Sequence, residues 1–156
     1  PLWYAIGHSR AREGDRLGAA AYSRDGATLA TASTDGTVRL WNALSGAPGR
    51  VLHRGAEMVH ALTFSSKGTL AAALDDGTIR LFDLAAGKQR VLHAGAAQHR
   101  LSFSADGRLL ASASVNRQFA ELWDVARGAR LHPQEGHLDA VSALRFVAVD
   151  RIVSVD

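Results

Sequence analysis

The chain contains no cysteine, so a disulfide framework, a thiolate nucleophile and a cysteine-based zinc site are excluded. That absence fits a reducing compartment, and the expected location is the cytoplasm. No apolar stretch approaches the roughly 20 residues of a membrane span, and no signal-peptide pattern opens the chain. Nor is there a run of Lys or Arg: the net charge is +3 and the 18 basic residues, nearly all Arg, are spread along the 156 positions. Neither nucleic acid nor membrane is therefore expected as a partner. No segment holds a 3.6-residue apolar period for as long as a helix needs, which excludes helical solenoids. What is present suits a folded protein: 47% hydrophobic residues, 21% charged, and a length that fits one ordinary domain.

The chain repeats itself. Trp41, Phe82 and Trp123 recur at a spacing of 41 residues, and Gly46, Gly87 and Gly128 follow at the same interval. Upstream of each aromatic stands a turn block, "YSRDG" at 22–26, "FSSKG" at 64–68 and "FSADG" at 103–107. Each block leads into a short apolar run, "TLATAS", "TLAAAL" or "LLASAS". Several independent positions agree on one period, so the repeat is real. Within one unit, strands are expected at 59–64, 69–74, 78–83 and 90–93, separated by turns rich in Asp and Gly. Four strands per unit and no helix is the pattern of a propeller blade. The units run approximately over 7–46, 47–87 and 88–128, with a truncated fourth over 129–156.

The motifs resemble the WD-repeat (WD40) β-propeller family. "ASTDGTVRLWN" (32–42) and "ASASVNRQFAELWD" (111–124) are similar to its turn-and-strand core, and "EGHLDAVSALRF" (135–146) to its Gly-His opening. The implied fold class is all-β, built of four-stranded antiparallel blades in an incomplete ring. A ring needs at least four blades, so the chain is expected to be part of a longer propeller. Further blades of the same chain or an associated copy would complete it, and the former is preferred.

The resemblance also implies a buried hydrogen-bond network. It links the His of Gly-His, a Ser or Thr of the second strand, the turn Asp and the third-strand Trp. The matching residues are His8, Ser33, Asp35 and Trp41 in the first unit, and His137, Ser154 and Asp156 in the last. The second unit keeps Asp76, but Leu74 replaces the Ser, Phe82 the Trp, and Gly55 the His. The third keeps Ser114 and Trp123, with Ala94 at the His position and "VNRQF" in place of the Asp-Gly turn.

Ser, His and Asp together also suggest a hydrolase triad. No G-x-S-x-G elbow accompanies them, and they recur with the repeat as structural parts do. His53 and His93 stand at equivalent places before the inter-blade loops, as do His60 and His99 in the first strands. His132 stands apart. No spacing within one strand pairs these histidines as metal ligands, so no metal or other cofactor is expected.

Function is then expected at the loop face that the family uses for docking. Its contact positions lie six and four residues before the first-strand aromatic and immediately before the turn Asp. Carried onto this chain they are Arg16, Gly18 and Thr34; Met58, His60 and Asp75; Ala97 and His99; and Ala140, Ser142 and Val155. The expected role is a non-catalytic scaffold that binds protein or peptide partners. The alternatives are a ligand-sensing or enzymatic propeller working at the central channel, and the regulatory sensor region of a larger signalling protein.

Overall fold

The computed structural model describes residues 17–114, 120–131, 143–148 and 151–155. Short runs of β-favouring residues, each cut by a Gly turn, give three four-stranded antiparallel sheets. The first comprises β1 (Leu17–Tyr22), β2 (Thr28–Ser33), β3 (Thr37–Asn42) and β4 (Pro48–Arg54). The second comprises β5 (Val59–Phe64), β6 (Thr69–Leu74), β7 (Thr78–Asp83) and β8 (Lys88–His93). The third holds β9 (Arg100–Phe103), β10 (Leu109–Ala113), β11 (Ala120–Asp124) and β12 (Ala129–Arg130). A strand pair follows, β13 (Ala143–Phe146) with β14 (Ile152–Val155). In the middle sheet the first three strands coincide with the expected segments, and the fourth begins two residues earlier. No helix occurs among the described residues.

Each sheet is a meander in chain order, so each connection is a local turn. The "SRDG" and "SADG" blocks close the first of them. Ser23 Oγ donates to Asp25 at 2.6 Å and accepts from Thr28 N at 2.9 Å, and Ser104 does the same with Asp106 (2.7 Å) and Leu109 N (2.9 Å). The residue after each repeated aromatic closes the third turn. Asn42 accepts from Leu44 N and Ser45 N, Asp83 from Ala85 N and Ala86 N, and Asp124 from Arg127 N. These side chains imitate a backbone turn, which explains why they recur with the period.

The apolar cores lie between sheets. Ala30, Ala32, Val38 and Leu40 of the first sheet pack with Val59, Leu70, Leu74 and Phe82 of the second. The opposite face of the second sheet, Ala71, Ala73, Ile79 and Leu81, packs with Leu110 and Trp123 of the third. Ala113 and Ala120 meet Leu144. A strand buried on both faces must be apolar at consecutive positions, hence "TLAAAL" with no polar alternation. Alanine is small enough to let neighbouring sheets approach.

β1 lies against β5, β5 against β9, and β9 against β13, so the first strand of each sheet forms the inner side of an arc. The second-to-third-strand turns meet the inter-sheet links at one end. Gly36 has φ +76, and a Cβ there would collide with the Gly55 carbonyl. Gly77 has φ +78, and its Cβ would come within 2.9 Å of Ala96 N. Links and turns are joined by Gly55 N to Gly36 O (3.2 Å) and Ala94 N to Gly77 O (2.9 Å).

Candidate functional site

The repeated aromatic anchors a buried polar pair. Trp41 Nε1 donates to Thr31 Oγ1 at 2.7 Å, and Trp123 Nε1 donates to Ser112 Oγ at 3.0 Å. The indole partner thus sits two residues upstream of Ser33 and Ser114, the residues expected from sequence. Register is the reason: Trp41 stands opposite Leu29 and Thr31 opposite Arg39, so the ring lies diagonally over Thr31. Ser33 is a further two residues away, beyond the reach of the indole. Its Oγ accepts instead from Asp35 N at 3.1 Å, within the turn. Ser114 is buried at the corresponding place. Asp35 accepts from Thr37 N (2.9 Å) and Thr37 Oγ1 (2.7 Å), and Asp76 from Thr78 N (2.9 Å) and Thr78 Oγ1 (2.6 Å).

The same register extends to the second sheet. Leu74 stands where Ser33 does, and Ala72 occupies the place of Thr31, the indole's actual partner, since it stands opposite Arg80 as Thr31 stands opposite Arg39. Phe82 and Ala72 therefore lose donor and acceptor together. Leu74 is a fully buried core residue. His8, His137 and Asp156 lie outside the described residues, as does the side chain of Ser154.

Of the expected docking residues, Met58, His60, Asp75 and His99 come together at the end where links and turns meet. Met58, on the link after β4, is 41% exposed, and its carbonyl accepts from Asp75 N at 2.9 Å. His60 Nε2 lies 2.8 Å from Asp75 Oδ1. The His60 and His99 rings are 4.4 Å apart, tilted by 35°. Thr34 is half-buried in the turn after β2, where Asp75 stands after β6. Burial, then the neighbouring His60, hold the His99 imidazole below its ordinary pKa. Arg16, Ala140 and Ser142 lie outside the described residues.

A register irregularity creates this cluster. Val59 pairs with Leu74 and Ala61 with Ala73, which leaves His60 as the extra residue of a bulge. Bulges re-aim side chains. β1 has the same irregularity at Gly18, where the absence of a Cβ lets the backbone approach the Val59 carbonyl. Gly18 therefore serves the packing of β1 on β5 and has no side chain to offer a partner.

His53 and His93 prove not to be equivalent. β4 carries register shifts opposite Arg39, so Thr37 faces Arg54 while Thr78 faces His93. His53, opposite Val38, takes the place of Leu92, opposite Ile79. Its Nε2 is buried without a hydrogen-bond partner among the described residues, and burial followed by Arg80 lowers its pKa. Sequence spacing missed a second polar feature. The buried Glu121 carboxylate lies 3.2 Å from Arg130 Nη1, whose Nη2 donates to the His93 and Ala94 carbonyls of the neighbouring sheet. The guanidinium also lies 5.0 Å above the Trp123 ring. Position 121 of the repeat is Arg in the other two sheets, so no repeated signal marked it.

The comparisons with known proteins agree with this geometry. The profile of the family described as "WD domain, G-beta repeat" matches residues 6–42 and 48–83. No curated protein sequence matches the chain significantly. Among solved structures, the crystal structure of the computationally designed Ika4 protein matches with a TM-score of 0.77 and 25% identity. That match covers 93% of this chain and 87% of the other. In all, 1117 solved chains match significantly, so the fold is too widely shared to select a function by itself. With the repeat profile, the four-stranded meanders and the Trp–hydroxyl pairs in agreement, residues 6–42 and 48–83 are WD40 repeats, and the described sheets are blades of a WD40-type β-propeller fold.

Proposed function

We propose that the chain is a protein-interaction module that holds a peptide or protein partner on the face carrying Met58, His60, Asp75 and His99. The family is broadly one of protein–protein interaction and is typically non-catalytic. The observation that carries the reading is the convergence of four residues from two inter-sheet links, the bulge of β5 and one turn, with His60 2.8 Å from Asp75 and 4.4 Å from His99. An exposed Met beside ordered polar groups has the make-up of an interface anchor, since Met adapts to apolar surfaces of varied shape. Thr34 extends the face onto the first sheet, and the cytoplasm, where Met58 stays unoxidised, is the proposed setting.

The second reading, a ligand-sensing or enzymatic propeller, would use the same His pair on the inner side of the arc. Docking is preferred because the exposed Met58 stands beside that pair, as an interface anchor would. The test is a binding selection on the full chain with a displayed peptide library, repeated on Met58→Ala and on His60→Ala/Asp75→Ala. Peptides that lose roughly tenfold or more in affinity on both variants are expected. Peptides that bind all three chains equally would sink the proposal.

A further inference from the structure

The first-to-second and third-to-fourth-strand turns lie at the end of each sheet opposite Met58 and Asp75, because an antiparallel meander alternates its connections. Between the second and third sheets this end holds an open cleft. Its two lobes, of about 440 Å³ and about 300 Å³, join along Thr69, Val125 and Ala126. Leu81, Leu109 and Val125 supply apolar walls. Lys67, Lys88, Arg90 and Arg108 supply cations, and the two lysines are the only ones in the chain. Lys67 and Arg108 stand on facing turns: a Cβ at Gly107 would lie 3.6 Å from Lys67 Cγ. Arg90 ties the two sheets together by donating to the Ala126 carbonyl at 2.7 Å.

The three carboxylates of the cleft are committed to their own turns. Asp83 accepts from Ala85 N and Ala86 N, Asp106 from Ser104 Oγ and Arg108 N, and Asp124 from Arg127 N. The side chains of Lys67, Lys88 and Arg108 are exposed and form no ion pair among the described residues, although, after the Ser104 hydrogen bond, Arg108 and Lys67 help to hold the Asp106 carboxyl below its ordinary pKa from a distance. Three exposed cations around a mixed cleft with apolar patches at Leu109 and Val125 form a surface complementary to carboxylates that arrive with apolar neighbours.

We propose that this cleft is a second docking site, and that it takes an acidic peptide segment with interspersed apolar residues. The peptide carboxylates meet Lys67, Lys88 and Arg108, and its apolar side chains rest on Leu109 and Val125. A nucleic acid fits less well. The carboxylates set among the cations repel an evenly charged phosphate chain, and the lining has no aromatic ring on which a base could stack. This site lies apart from the His60 face and does not rest on it.

A random-peptide selection on the full chain tests the proposal. It should enrich peptides rich in Asp and Glu with interspersed Leu, Ile or Val. These should lose roughly tenfold or more in affinity on Lys67→Glu/Arg108→Glu, weaken with added salt, and bind Met58→Ala/His60→Ala unchanged. The milder pair Lys67→Gln/Arg108→Gln, with its melt checked by circular dichroism, should lose affinity in the same direction. Three outcomes overturn the proposal: no acidic enrichment, equal affinity for the charge-changed chains, or tighter binding of single-stranded DNA that the same variants abolish.

Discussion

A buried hydroxyl and a buried indole N–H are each costly alone and nearly neutral when they face one another. Thr31 with Trp41 and Ser112 with Trp123 keep both partners, and Ala72 with Phe82 dispenses with both. None of the three sheets keeps half of the pair. Trp123→Phe removes the donor and is expected to cost about 1–3 kcal/mol by leaving Ser112 Oγ unpaired in a fully buried site. Ser112→Ala should cost a similar amount. The double variant should cost about 1 kcal/mol less than the sum, because it reproduces the Ala–Phe arrangement. Urea unfolding of the four chains measures this coupling, and strict additivity would show that the hydrogen bond contributes nothing.

At the scale of the element, glycine is required where a turn and a link touch. Gly26 and Gly36 both have positive φ, near +70 and +76. An added Cβ at Gly26 meets nothing within 4 Å, whereas at Gly36 it strikes the Gly55 backbone. Gly26→Ala should therefore cost only the left-handed conformation, about 1 kcal/mol. Gly36→Ala adds a collision with backbone that cannot rotate away, for about 3 kcal/mol or more in total. Equal losses in thermal melts would mean that the link yields and the close approach is not a constraint. The bulge at His60 belongs to the same scale. One extra residue in β5 turns the imidazole toward Asp75 and His99, and a flush pairing would send it elsewhere.

For the whole molecule, stability resides between sheets, so the pH response of one inter-sheet position reaches both neighbours. His53 occupies a place that the second sheet fills with Leu92, and its pKa is held below the ordinary 6.5 by burial and then by Arg80. A lowered histidine favours the neutral form in the folded state. Its contribution is complete above the unfolded pKa near 6.5, and is lost as pH falls from there toward the lower folded value. His99 acts in the same direction. Stability should therefore decline below pH 6.5, and His53→Leu should flatten that decline while retaining the neutral-pH melt. An unchanged acid slope in His53→Leu would assign the effect to other groups.

The sequence by itself determined the period, the four strands of the first three units, the turn residues and the absence of helix among the described residues. These are local properties: a Ser-x-Asp-Gly turn or a run of small apolar residues builds the same element wherever it stands, so the middle sheet was legible almost to the residue. The resemblance to WD repeats, not the spacing alone, pointed to Met58, His60, Asp75 and His99 as one face, and the four do lie together. Only the tertiary structure decided which hydroxyl meets the indole, since Thr31 and Ser33 differ by one step along the same face of β2 and register alone separates them. It alone separated His53 from His93, because the irregularities of β4 shift the strand without leaving a mark in the spacing. The Glu121–Arg130 bridge and the cleft of Lys67 and Arg108 were equally hidden. Both join residues of different turns or strands across a gap, and that pairing is set by how the sheets pack and not by any single repeat.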